Sequence, residues 1–139
     1  MTGHEDDLDA RQFGLTTTEL GSAATVVAVS GELDLHSAPE LMAVVDEAMR
    51  APGIEVVVID LSDVEFLGSS GLGVLANLAT RATVPTSYRS GVPRHRAQLR
   101  VVSPPGNAAV TRPWEAMNLQ QILPLYPTIN SAVHGDPQY

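Results

Sequence analysis

Two adjacent hydroxyls, Ser69 and Ser70, stand in the segment Gly68-Ser69-Ser70-Gly71-Leu72. An apolar run, Val56 to Leu61, ends upstream at a polar turn, and a short patch, Phe66-Leu67, leads into the glycines. Downstream, Leu72, Leu75, Ala76 and Ala79 follow helical spacing. The pattern reads as a buried strand, a loop and a helix start, with both hydroxyls at the helix N-terminus. Unpaired N–H groups and the positive dipole end meet there, so the place suits a negative group. A phosphate on either serine would be tolerated and would add about −1.5 to −2 charges. Serine is also a favoured N-cap. On these residues alone a cap is the simpler reading.

Hydrolytic chemistry at the same place does not fit. A nucleophile elbow needs Gly-x-Ser-x-Gly. The second Gly is missing around Ser70, and Leu67 replaces the first around Ser69. A phosphate-binding P-loop is excluded because the chain has no Lys; all eight basic residues are Arg. A small serine hydrolase is therefore the weakest alternative, and no catalysis is expected.

The segment DLSDVEFLGSSGLGVL resembles the signature of STAS domains, in particular of the bacterial anti-sigma factor antagonists. In that family the loop reads Asp-Ser-Ser/Thr-Gly-Leu, and its first hydroxyl is phosphorylated by a partner kinase. The resemblance puts Ser69 at the acceptor position, with Ser70 as cap or secondary acceptor, and Gly68 where the family has Asp. Gly removes that carboxylate and loosens the loop. A second match, VSGELDLHSAPEL, resembles the family's Gly-Glu-Leu-Asp segment and assigns Asp34 to the same partner-facing surface. A weaker match, LRVVSPPGNAAVTRPWEAMNLQQILPLY, resembles the last strand-helix-strand part. The likeness spans roughly residues 11–135.

By resemblance, the partner surface comprises Asp34, Gly68, Ser69, Ser70, Gly71 and Leu72. The implied partner is an anti-sigma factor with a histidine-kinase-type ATPase fold and serine kinase activity. The unphosphorylated protein binds it and frees a sigma factor for transcription, as in stress responses. Phosphorylation at Ser69 ends the partner switch, and a phosphatase resets it. The alternative is a non-switching STAS scaffold or ligand-sensing subunit of a stress-signalling or lipid-transport complex.

These loops must be held by a framework. A single α/β domain is expected, with a STAS-like mixed sheet of about four to five strands and helices packed on it. Gln12 to Leu20 and Ala24 to Ser30 read as strands joined at Gly21-Ser22. Ser37 with Glu40 reads as a capping box. Leu41, Val44, Val45 and Ala48 then give a helical stripe, stopped by Ala51-Pro52-Gly53. Glu55 to Leu61 is the central strand, apolar enough to be covered on both faces. A second helix is expected from about Ser70 to Ala82, and a strand from Gln98 to Ser103. The third helix opens at Pro104-Pro105 and ends near Asn118. Gln121 to Tyr126 reads as a short strand or extended piece and Thr128 to His134 as a short terminal helix. Residues 1–10 read as a disordered acidic tail, 83–96 as an inserted loop, and 136–139 as a tail.

Composition sets further bounds. The 139 residues are 44% hydrophobic but only 4% aromatic, so the core must be aliphatic. A net charge of −8 argues against nucleic acid. No apolar stretch reaches the ~18 residues of a membrane span. The acidic N-terminus does not read as a signal peptide, and a cytoplasmic protein is expected; a monomer or weak dimer is the expected state. There is no Cys, so disulfides and thiolate metal sites are excluded. His4, His36, His95 and His134 lack metal-ligand spacing, and neither metal nor cofactor is expected. Trp114 reads as a packing residue. Arg81, Arg89, Arg94, Arg96 and Arg100 read as a solvated cluster, or as a docking surface in which Tyr88 could join.

Overall fold

The computed structural model describes residues 13–83 and 97–135. The two expected tails, Gln12, residues 84–96, Tyr88, Arg89, Arg94, Arg96, His4 and His95 lie outside the described residues. Five strands form one mixed sheet in sequential order: β1 (Gly14–Leu20), β2 (Ala24–Leu33), β3 (Val56–Leu67), β4 (Gln98–Val102) and β5 (Leu125–Tyr126). The first pair is antiparallel and the other three are parallel. Leu20 opposes Ala24 across a tight turn that Gly21 enters at φ 66°.

Each parallel step needs a crossover, and crossovers that all step the same way put their helices on one face. The crossover helices are α1 (Ala38–Arg50), α2 (Ser69–Thr83) and α3 (Ala108–Ala116). Leu41 and Val45 of α1, Leu72, Leu75 and Leu78 of α2, and Val110 and Trp114 of α3 share one core with Val57, Ile59 and Val101. A last helix, α4 (Ile129–His134), covers the opposite face at Val26, Val58 and Val102. This double cover explains the unbroken burial of Val57, Val58 and Ile59. Among the described residues, no helix is long and apolar enough to cross a membrane.

Several expected boundaries move. Strand β2 runs on to Leu33, and β3 does not end at Leu61 but continues through the supposed polar turn to Leu67. The ladder absorbs the excess: Ala28 pairs with Asp60 but Ser30 with Asp63, and Gly31 pairs with Val64 but Glu32 with Phe66. Strand β3 thus carries an extra residue at each of two bulges. Asp60 turns the first, its carboxylate accepting from the Ser62 N–H at 3.0 Å. The second helix starts at Ser69 and reaches Thr83, so the expected loop begins later than residue 83.

The third helix starts at Ala108, not at the prolines, because Asn107 marks its N-terminus; Pro113 lies inside it and it ends at Ala116. Of the strand or extended piece expected from Gln121 to Tyr126, Gln121 ends a 3-10 turn, Leu119–Gln121, and only Leu125–Tyr126 form β5. Helix α4 matches its expected span, and Thr128 and Ser131 close a capping box.

Trp114 is fully buried and donates its Nε1–H to the Leu123 carbonyl at 2.9 Å. Arg100 donates to the Ala132 carbonyl at 2.7 Å and lies 5.8 Å from the Tyr126 ring centre. Of the expected arginine cluster, this member ties α4 to the sheet.

Candidate functional site

Strands β2 and β3 are parallel, so both deliver their following loops to one end of the sheet. Leu33 closes β2 and Asp34 follows it; Leu67 closes β3 and Gly68 follows it. The Gly68 N–H donates to the Leu33 carbonyl at 3.0 Å, fastening one loop to the other. The loop carboxylate and the paired hydroxyls expected from sequence are thereby brought to one surface.

The Asp34 loop is held by its own side chain. Asp34 Oδ1 accepts from the N–H of His36 at 3.0 Å and of Ser37 at 3.2 Å. Ser37 does not form the expected capping box. Its backbone is already helical, and its hydroxyl accepts from the Asp34 N–H and donates to the Glu32 carbonyl, each at 2.9 Å. Asp34 instead closes the turn before the helix, and the Glu40 N–H is met by the Ser37 backbone carbonyl at 3.1 Å. The Ser37 N–H is the main cause that holds the Asp34 carboxyl below its ordinary range. Partial burial opposes it, while the His36 N–H, the Ser37 hydroxyl and the nearby His36 ring add to it.

On the second loop, the Gly68 carbonyl accepts the first helical bond, from the Leu72 N–H at 3.0 Å. Gly68 is therefore the residue at the N-cap, and neither serine is. Ser69 and Ser70 are the first two helical residues; Ser69 is exposed and Ser70 half-buried. An exposed hydroxyl in a first helical turn can accept a phosphoryl group, and the free N–H groups there favour the anion. Gly71 and Leu72 are buried and shape this surface from behind. A Cβ on Gly71 would lie 2.8 Å from both the Leu33 carbonyl oxygen and Leu33 Cγ. Only glycine lets α2 start this close to the end of β2.

Two residues of this end were missed by the sequence reading. Leu35 and Phe66 are 69% and 51% exposed, beside Asp34 and Gly68 in the chain. A Cβ on Gly68 would meet Phe66 Cε2 at 3.1 Å, so the ring leans over the loop. The available signal was alternation: Leu67 enters the core, so Phe66 must point away. Asn107 was missed too. Its Nδ2 lies 3.2 Å from the Leu61 and Val64 carbonyls and 3.3 Å from that of Ser62, pinning the bulged part of β3. Among the described residues, no cluster of His, Asp or Glu could hold a metal ion.

Comparison with known proteins converges on this architecture. The STAS domain family model matches residues 15–132. The anti-sigma-F factor antagonist RsfB of Mycobacterium tuberculosis is 33% identical over 114 residues, covering 82% of each chain. The crystal structure of an anti-sigma factor antagonist from Mycobacterium paratuberculosis superposes with a TM-score of 0.70 at 32% identity, covering 90% of this chain and 94% of that one. The structure of the anti-sigma factor antagonist SpoIIAA in its unphosphorylated form shares the fold with a TM-score of 0.60 at 16% identity, over 88% of this chain and 95% of its own. A domain-wide family match, relatives at about one-third identity and a shared five-stranded topology agree: the chain belongs to the STAS domain family.

Proposed function

We propose that this chain is an anti-sigma factor antagonist that switches partners through Ser69. Unphosphorylated, it binds an anti-sigma factor through the surface formed by the Asp34 and Ser69 loops, and a sigma factor is released. The bound anti-sigma factor is itself a serine kinase with a histidine-kinase-type ATP-binding fold. The γ-phosphoryl group of ATP passes to Ser69 Oγ; the bond to the β-phosphate oxygen breaks, the hydroxyl proton is lost, and ADP remains. A phosphatase returns Ser69 to the hydroxyl.

The observation that carries this reading is the exposed Ser69 in the first turn of α2, on a loop bonded at Gly68 to the end of the strand that delivers Asp34. The two mycobacterial relatives named as anti-sigma factor antagonists support it. The energetics suit a switch. A phosphate adds about −1.5 to −2 charges, a buried unpaired charge costs several kcal/mol, and about 1.4 kcal/mol already changes affinity tenfold.

The test is capture of partners from native cell lysate, then incubation of the captured protein with this chain and ATP, read by intact mass and peptide mapping. One phosphate on Ser69, added by a kinase-fold anti-sigma factor, is the expected result. Capture of that factor without transfer would make the protein a constitutive antagonist, in line with the missing carboxylate at Gly68. Capture of a transporter ATPase and no sigma-factor regulator would overturn the reading in favour of a STAS scaffold.

A further inference from the structure

The end of the sheet that carries Ser69 combines exposed apolar side chains with an anionic surround. Leu35 and Phe66 are its exposed large hydrophobics. Strand pairing sets Glu32 beside Phe66, on the side away from Leu33 and Leu67, which enter the core. Glu32, Asp34, Asp63 and Glu65 belong to this end, and the segments 30–49 and 51–80 hold neither Arg nor Lys; His36 is their only basic side chain. Just before Phe66, an open cleft of about 640 Å³ is lined by Asp63, Glu65, Ser30, Ser62 and Asn107.

A half-exposed phenylalanine has no folding reason to lie over a glycine loop. Aromatic side chains of this kind are the usual anchors of interfaces, and buried apolar contact with a charged rim is the usual anatomy. The acidic rim is complemented by basic groups of a partner. Such complementarity sets on-rate and partner choice more than raw affinity. The same arrangement gives a phosphate on Ser69 no Lys or Arg to pair with in either segment, and it stands beside the apolar anchors.

We propose that Phe66, seconded by Leu35, is the anchor by which this chain seats an anti-sigma factor, and that the seat is an apolar pocket rimmed by Arg or Lys. The inference rests on the proposed function and adds to it the chemistry of the partner's surface. The ring fills the pocket, Glu32, Asp63 and Glu65 face the basic rim, and Ser69 lies at the edge of the pocket. A charge on Ser69 therefore breaks the contact although the wider surface is basic.

The test replaces Phe66, Ser69 or the distant, exposed Glu47 with the photo-crosslinker p-benzoylphenylalanine in the full chain, in cells, and identifies the adducts by mass spectrometry. Phe66→p-benzoylphenylalanine and Ser69→p-benzoylphenylalanine should both trap one anti-sigma factor, at peptides holding apolar residues and Arg or Lys, and the Glu47 variant should not. Adducts from position 69 alone would overturn the anchor and leave the proposed function standing. No anti-sigma factor at either position would overturn both. With the trapped factor purified, Phe66→Ala should weaken binding at least tenfold while thermal stability stays near wild type. Unchanged binding would overturn the anchor.

Discussion

The Gly68 N–H donates to the Leu33 carbonyl across 3.0 Å, and this bond makes one surface of two loops that lie thirty-odd residues apart in the chain. Leu33 belongs to the core and is fully buried. Movement at the Ser69 loop is therefore tied to a rigid strand end and not to another loop. The geometry also limits what α2 can place beside Leu33.

That limit gives the first prediction. Gly71→Ala puts a Cβ 2.8 Å from the Leu33 carbonyl oxygen and 3.0 Å from Leu67 Cδ1, and a backbone atom cannot turn aside as a flexible side chain can. Crowding of this kind costs about 1–3 kcal/mol. Gly73, two positions on, has nothing within 4 Å of its would-be Cβ. Gly73→Ala should gain up to about 1 kcal/mol from helix propensity. Urea unfolding of both variants checks the contrast, and a Gly71→Ala protein as stable as wild type would show that α2 starts farther from β2.

The Asp34 carboxyl predicts an acid dependence. Its folded value is held down, chiefly by the Ser37 N–H. A depressed acid stabilises the folded state while ionised. The contribution is complete above the unfolded value, about 3.9, and is lost as pH falls through the lower folded value. Wild type should thus lose more stability than Asp34→Asn as pH falls below about 4. Parallel losses in the two proteins would mean that the carboxylate does not hold the turn.

Much of this was legible in the sequence, because burial on both faces leaves an unmistakable run at Val56 to Ile59 and at Ala24 to Val27. The Gly-Ser-Ser-Gly loop was legible for the same reason: a helical stripe starts where the strand pattern stops. The continuation of β3 was not. Asp60, Ser62 and Asp63 are residues that turns favour. Only the fold shows them at bulges, held by Asn107 from more than forty positions away. Ser37 misled in the same manner. Its spacing to Glu40 matches a capping box, but the strand end beside it offers the Glu32 carbonyl, and Asp34 is left to close the turn.

Asn107 supplies the third prediction. Its amide faces three carbonyls of the bulged strand, at Leu61, Ser62 and Val64. Asn107→Ala leaves these acceptors without that donor and should cost about 1–3 kcal/mol. Asn107→Asp sets a carboxylate against the same oxygens and should cost more, although it is the smaller change in shape. Equal stability of the two variants in chemical unfolding would show that the side chain does not pin the bulge.

The last prediction concerns the switch. Ser69 is exposed, so Ser69→Ala and Ser69→Asp should both fold with stabilities within about 0.5 kcal/mol of wild type. Their binding should part. Ser69→Ala keeps affinity for the anti-sigma factor and takes no phosphate, whereas Ser69→Asp brings a charge to the contact and weakens binding tenfold or more. Gly68→Asp separates the loop's shape from its chemistry. Its Cβ is crowded by the Phe66 ring, at 3.1 Å, which is half-exposed and can turn aside, while the Leu33 carbonyl oxygen stands at an ordinary 3.8 Å. An Asp at the N-cap of α2 supports the helix at least as well as Gly. If a carboxylate at this position orients the acceptor loop, Gly68→Asp should speed phosphorylation of Ser69 in a timed assay with the kinase and ATP. An unchanged rate would show that the Asp34 loop and the start of α2 already hold the hydroxyl in place. Full-affinity binding by Ser69→Asp would remove the switch altogether, because the charge would then be reaching the contact without effect.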